Sequence, residues 1–209
     1  MSLHIGDTAP DFTVDTTSGP ITLHEWAKGS WVFFFSHPAD FTPVCTTEMG
    51  MTAKLAGEFE KRGVKPLGLS TDTVEEHRAW ISDVDETQGC SLQFPIVADA
   101  DLTIARSFDM IHPDESETAA VRSVFIIDPD MKIRLIMTYP MSVGRNFDEI
   151  LRVIDSLQLS DRARIATPAN WTPGGDVIIP PSIGDEEARE LFPQGFTTIK
   201  PYLRTTRVE

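Results

Sequence analysis

One cysteine stands where a helix should begin. Cys45 closes the stretch Trp31-Val-Phe-Phe-Phe-Ser-His-Pro-Ala-Asp-Phe-Thr-Pro-Val-Cys45, and its chemistry depends on what precedes it. Thr42 followed by Pro43 reads as a helix start: a hydroxyl at the cap, then a proline whose missing N–H costs nothing at the first helical position. Cys45 then falls in the first turn, where unpaired N–H groups and the positive end of the helix dipole favour a thiolate. A thiolate so placed is a nucleophile. A lone helical cysteine is more often packing than catalysis, but a packing cysteine belongs among aliphatics. Here the neighbours Ser36, His37, Asp40, Thr42, Thr46, Thr47 and Glu48 are polar.

The elements that must position Cys45 follow from pattern. Trp31 to Phe35 is a short apolar run, the signature of a buried strand, and Pro38 prevents it from continuing as a ladder member. Upstream, Phe12–Val14 and Ile21–Leu23 flank turn residues and read as an N-terminal hairpin. Downstream, the spacing predicts a helix over 43–61, with Cys45, Met49, Thr52, Ala56 and Phe59 on its inward face and Gly63 ending it. Val64–Ser70 reads as a strand. Thr73-Val-Glu-Glu76 is a capping-box pattern opening a helix whose stripe is Val74, His77, Trp80, Ile81 and Val84, with His77 read as a packed histidine rather than a ligand. Phe94–Ala98 is a further strand, Leu102–Phe108 a short helix and Ile111–Thr118 a polar loop. Val121–Ile127 and Ile133–Tyr139 are strands joined by Asp128-Pro-Asp-Met-Lys132, and a helix starts at Asn146. This order describes a mixed α/β sheet flanked by helices, assigned to residues 1–160. Residues 161–209 hold six of the fifteen prolines and little periodicity beyond 186–192. They are expected to form an arm without its own core, lying on the main domain or on a partner subunit.

Composition bounds the function. The 209 residues carry a net charge of −14, which argues against a general binder of nucleic-acid backbone. Residues 1–7 show no signal-peptide pattern and no apolar run reaches the length of a membrane span. With two cysteines, Cys45 and Cys90, there is no disulfide framework, no cysteine-rich metal site and no Cys-x-x-Cys exchange motif. Low cysteine usage fits a reducing, cytoplasmic setting. No cofactor and no metal are expected.

Pro38-x-x-x-Thr42-x-x-Cys45 resembles the active-site signature of the peroxiredoxins, and Ser36 through Glu48 is similar to their 1-Cys branch. Arg122–Asp130, Tyr139-Pro140, Gly144–Arg152, Ala166–Trp171, Leu191-Phe-Pro193 and Tyr202-Leu-Arg204 extend the resemblance over nearly the whole chain. The resemblance implies a thioredoxin-like fold, a C-terminal dimer-forming arm and thiol-dependent reduction of hydrogen peroxide and organic hydroperoxides. It assigns Arg122 as the arginine beside Cys45 and Arg145 as a second one. Glu48 is expected to orient an arginine, Thr42 to bond the peroxide as well as cap the helix, Pro38 to shield the sulfur and His37 to tune the site. Peroxide attack yields a Cys45 sulfenic acid. No cysteine lies in 161–209, and Cys90 in Gln88-Gly-Cys-Ser is not in the context of a resolving cysteine. A 1-Cys cycle with an external thiol or other small reductant follows, in a homodimer or a higher oligomer without membrane anchoring.

Two competing readings remain. The resemblance also points to Ser30, His24 and Asp130 as a lipase set, but Lys28-Gly-Ser-Trp-Val32 lacks the flanking glycines of a nucleophile elbow. A redox-controlled chaperone is permitted by the arm and the acidic composition without being indicated by them.

Overall fold

The computed structural model describes residues 3–208, which divide into two compact units, Met1–Phe147 and Asp148–Glu209. The first begins with a hairpin of β1 (Thr13–Val14) and β2 (Ile21–Thr22), as the turn residues predict, followed by the short α1 (Leu23–Trp26). Its centre is a five-stranded sheet built from β3 (Trp31–Ser36), β4 (Val64–Ser70), β5 (Ile96–Ala98), β6 (Arg122–Ile127) and β7 (Ile133–Tyr139), in the order β5-β4-β3-β6-β7. β3 runs parallel to β4 and antiparallel to β6.

β3 is apolar at every position but its last because both its faces are covered. Phe33 and Phe35 point to one side, where they stack on each other at 4.6 Å and Phe33 stacks on Phe59 at 5.3 Å. Phe34 points to the other and meets Phe108 edge-on at 4.9 Å, within a core that includes Leu67, Leu69, Ile104 and Ile127. Pro66 is tolerated in β4 because pairing with β5 starts only at Gly68.

The helix predicted over 43–61 is two helices, α2 (Pro43–Lys54) and α3 (Ala56–Lys61), broken at Leu55 with φ −91° and ψ 8°. The break ends the single stripe: Cys45, Met49 and Thr52 are buried, Ala56 is exposed, and Phe59 returns to the core. α4 (Val74–Gln88) begins with both halves of the capping box at Thr73 and Glu76, and ends at Gly89, whose φ of 60° favours glycine. Gly50 lets α2 and α4 approach, since a Cβ there would sit 2.4 Å from the side chain of Gln88. α5 (Thr103–Ser107) is anchored by the Asp99 carboxylate, which accepts from the N–H groups of Ile104 and Ala105.

The second unit differs from the expected coreless arm. It takes in most of α6 (Phe147–Ala163), so the division falls earlier than 160, and adds α7 (Asp185–Leu191) and a three-stranded sheet. That sheet runs in the order β8 (Val177–Ile179), β10 (Leu203–Thr206), β9 (Thr197–Lys200). Leu159, Ile165, Trp171, Val177, Ile179, Ile183, Ala188 and Phe192 form a small core of its own. Strands of three or four residues leave too little alternation for periodicity to register, and the helix that helps to cover them begins well before residue 161. Ile199 and Tyr202 remain exposed.

Candidate active site

The sheet topology brings the site together. The register Phe35↔Val124 sets the start of β6 beside the end of β3, so Arg122 reaches the turn that follows Ser36. Ser36 stitches the two strands: its hydroxyl donates to the Val121 carbonyl at 2.6 Å and accepts from the Ser123 N–H at 3.1 Å. The loop after β3 then delivers α2, with Cys45 in its first turn and fully buried.

Cys45, Glu48, Arg122 and Arg145 form one hydrogen-bonded cluster. Nη1 of Arg122 donates to Cys45 Sγ at 3.3 Å and to Glu48 Oε2 at 2.8 Å. Its Nε and Nη2 both donate to the Met141 carbonyl, at 2.9 and 2.7 Å, which fixes the plane of the guanidinium. Arg145 closes on Glu48 from the other side through its backbone N–H at 2.8 Å, Nε at 3.0 Å and Nη2 at 2.9 Å. The same Nη2 donates to the Ser36 carbonyl at 2.6 Å, and the guanidinium lies 5.0 Å over the Phe35 ring. Burial pulls the Arg145 guanidinium below its usual value, against the attraction of Glu48. Two buried cations face one carboxylate, which leaves a positive charge that an anionic sulfur or a departing oxyanion offsets.

Thr42 stands at the N-cap position of α2 but does not cap it with its hydroxyl. The hydroxyl instead donates to the Ala39 carbonyl at 2.8 Å. The first-turn N–H groups therefore stay uncapped by Thr42, and the lone pairs of its oxygen remain to accept. Pro38 is half-buried in the bend between β3 and α2.

His37 is fully buried and belongs to a network that the sequence did not announce. Its Nε2 lies 2.8 Å from Asp40 Oδ1, and Asp40 Oδ2 lies 2.6 Å from Nδ1 of His77, whose Nε2 is 3.2 Å from the Val97 carbonyl. Asp72 joins from the loop after β4, accepting from the Asp40 N–H at 2.9 Å and the Ser70 hydroxyl at 2.7 Å. Burial raises the Asp40 carboxyl, but the hydrogen bonds from His37 and His77 outweigh it and hold the group below its usual range. His37, Asp40 and Asp72 have donor atoms within 4.8 Å of one another. Those of Asp40 and Asp72 are engaged in the hydrogen bonds just given, which a metal would have to displace. The available signals were His37-x-x-Asp40 and the histidine on the stripe of α4.

The remaining sequence candidates lie apart. Cys90 is half-buried beyond the end of α4, with its thiol 3.6 Å from Asp85 Oδ1, and burial and then Asp85 push that thiol up. His24 bonds the Ala9 carbonyl at 2.8 Å and lies 3.9 Å from Asp11. Among the described residues no hydrogen bond joins it to Ser30 or Asp130. Ser30 lines a mainly apolar cleft of about 480 Å³ with Trp26, Lys65 and Phe94. No helix of the described residues is long and apolar enough to cross a membrane.

Comparison with known proteins decides the family. Residues 5–136 match the AhpC/TSA family, and residues 156–195 match the C-terminal domain of 1-Cys peroxiredoxin. The chain belongs to the 1-Cys peroxiredoxins. It is 52% identical to a 1-Cys peroxiredoxin of Dictyostelium discoideum over 98% of this chain and 85% of the relative. Peroxiredoxin-6 of Gallus gallus is 48% identical over 98% of this chain and 97% of its own. Among solved structures, the yeast mitochondrial 1-Cys peroxiredoxin, described for thiol resolving through the glutathione/thioredoxin systems, superposes with TM-score 0.93. It is 49% identical over 99% of this chain and 100% of its own. A cysteine-to-serine mutant of peroxiredoxin 6 of Arenicola marina gives 0.95 at 43% identity, over 99% and 98%. The thioredoxin-like mixed sheet inferred from the resemblance is the fold that these relatives share.

Proposed function

We propose that this 1-Cys peroxiredoxin reduces hydrogen peroxide and organic hydroperoxides through Cys45, with Thr42, Arg122 and Pro38 acting at the site and Glu48, Arg145 and His37 supporting it. The observation that carries this reading is the 3.3 Å contact between Arg122 Nη1 and Cys45 Sγ in the first turn of a helix. The Cys45 thiolate attacks one peroxide oxygen, an S–O bond forms as the O–O bond breaks, and the departing oxygen leaves as water or an alcohol. Arg122 and the first-turn N–H groups of α2 face the charge that develops on the oxygens, and the Thr42 hydroxyl oxygen accepts from the peroxide. Pro38 keeps water from the sulfur.

A second thiol completes the cycle from outside the chain. The support is the absence of any cysteine from residues 161–209 and the raised, half-buried Cys90. The second unit is the proposed pairing surface of a homodimer, with exposed Ile199 and Tyr202 as its apolar contribution, and the cytoplasm is the proposed compartment. The yeast relative works in mitochondria.

The test is peroxide consumption by wild type, Cys45→Ser and Cys90→Ser with a thiol reductant. Only the Cys45 change should abolish turnover; turnover that survives it sinks the proposal.

A further inference from the structure

The acceptor that aims Arg122 lies outside the sheet. Arg122 pairs with Tyr139, the last residue of β7, and Pro140, which has no N–H to donate, follows that pair. The Met141 carbonyl that accepts from Arg122 Nε and Nη2 therefore stands two residues past the end of the ladder, where strand pairing does not hold it. A turn follows, closed by the Val143 N–H on the Pro140 carbonyl at 3.1 Å. The guanidinium is a rigid fork, so the position of this one backbone oxygen decides where the third nitrogen, Nη1, points.

Met141 is tied down by Glu115. Its N–H donates to Glu115 Oε2 at 3.1 Å, so both backbone polar groups of this residue are engaged, the N–H by a carboxylate and the carbonyl by the Arg122 guanidinium. Glu115 is exposed, but its loop gives it a defined place. The loop is closed at its base by the Val121 N–H on the Met110 carbonyl at 2.9 Å, with Met110, Ala120 and Val121 buried. Within it the N–H groups of Glu115 and Ser116 both donate to the His112 carbonyl, at 2.9 and 2.8 Å. The Ser116 hydroxyl accepts from the N–H groups of Thr118 and Ala119 at 3.2 and 3.0 Å, and the Thr71 hydroxyl donates to the Thr118 carbonyl at 3.1 Å. The chain thus leaves the core at Met110, returns to it just before Arg122, and on the way grips the residue on which Arg122 rests. The other end of the 141–145 segment is held in the same manner, since Glu48 Oε1 accepts from the Arg145 N–H at 2.8 Å.

We propose that Glu115 is a positioning residue for peroxide reduction: it holds Met141 and, through the Met141 carbonyl, aims Arg122 at Cys45. The proposal rests on the peroxidase reading above. Glu115 is not a catalytic residue, because its hydrogen bond is to a backbone N–H and its effect is on geometry. With that N–H released, the turn relaxes and the carbonyl shifts beneath the fork. Nη1 then no longer meets Cys45 Sγ and the departing oxygen at the separation that the transition state requires. Geometry and charge are separable at this position with glutamine, which keeps an acceptor oxygen and carries no charge.

Stopped-flow mixing with hydrogen peroxide times sulfenic acid formation in wild type, Glu115→Ala and Glu115→Gln, and in each of these combined with Arg122→Lys. Glu115→Ala should slow the step about three- to tenfold, the kinetic equivalent of one net hydrogen bond. Glu115→Gln should stay within about twofold of wild type. Lysine cannot hold one carbonyl with two nitrogens of a planar fork, so in the Arg122→Lys background the alanine change should slow the step by less than about 1.5-fold. A Glu115→Ala rate equal to wild type would overturn the proposal. So would a Glu115→Gln rate as low as that of Glu115→Ala, or an alanine effect that persists in full beside Arg122→Lys. If Arg122→Lys fails to fold, the comparison of alanine with glutamine at 115 decides alone. A wild type that forms no sulfenic acid would instead remove the peroxidase reading, and this inference with it.

Discussion

Nη1 of Arg122 is shared between Cys45 Sγ at 3.3 Å and Glu48 Oε2 at 2.8 Å, while the other two nitrogens of the guanidinium converge on one carbonyl, that of Met141. Each of the three nitrogens is engaged, and the orientation of the fork depends on a backbone oxygen nineteen residues away in sequence. Lysine would keep the charge and lose the geometry.

Arg122→Lys should therefore slow sulfenic acid formation by about 10²-fold, the cost of losing one aimed donor at a developing oxyanion. Stopped-flow mixing with hydrogen peroxide measures this directly. A variant within about threefold of wild type would show that charge alone suffices.

Among the described residues Glu48 is the only acceptor common to the two arginines, and its side chain and theirs are almost entirely buried. Glu48→Gln leaves two guanidiniums facing each other without a counter-charge. Removing one partner of a buried pair costs about 3–5 kcal/mol. Urea unfolding should show a loss of that order with an unaltered m-value, and Glu48→Asp, one methylene shorter, should lose less.

Much of this arrangement was legible in the sequence. The strand–loop–helix that delivers Cys45 follows from the apolar run, Pro38 and Pro43, and the capping box at Thr73 is present with both its hydrogen bonds. What was not legible has physical reasons. The break at Leu55 is a backbone event without a proline or glycine at the position. The clamp on Arg122 is a carbonyl, which every residue possesses. The hydroxyl of Thr42 had two possible partners, and the turn geometry chose Ala39 over the helix N–H groups. Arg122 and Arg145 entered through family resemblance, because strand pairing brings them to Cys45 from far along the chain. Asp40 and His77 were visible as residues but not as a pair, since their separation of 37 residues is closed only by packing α4 against the loop after β3.

The capping box makes its own prediction, because α4 carries His77 and Trp80. In Thr73→Ala the hydroxyl that accepts from the Glu76 N–H is lost, at a cost of about 1 kcal/mol. Thermal unfolding should register this, and Thr73→Ser should recover most of it. A change of less than about 0.3 kcal/mol would mean that packing alone fixes the start of α4.

The buried imidazole of His37 also links stability to pH. Burial depresses its folded-state value below 6.5, while the unfolded chain keeps the ordinary one. Above 6.5 both states are neutral there and the full stability is present. As pH falls through 6.5 and on toward the folded-state value, the unfolded chain gains a proton that the native site refuses, and stability is lost. One such group contributes at most about 1.4 kcal/mol per pH unit. Asp40 acts in the same sense lower down, since its folded-state value lies below 3.8 and its contribution fades only as pH falls beneath that. Urea midpoints should accordingly decline between about pH 7 and pH 5, and His37→Gln, which has nothing to protonate, should decline less steeply over the same interval. Parallel slopes in the two proteins would assign the acid limb to other groups.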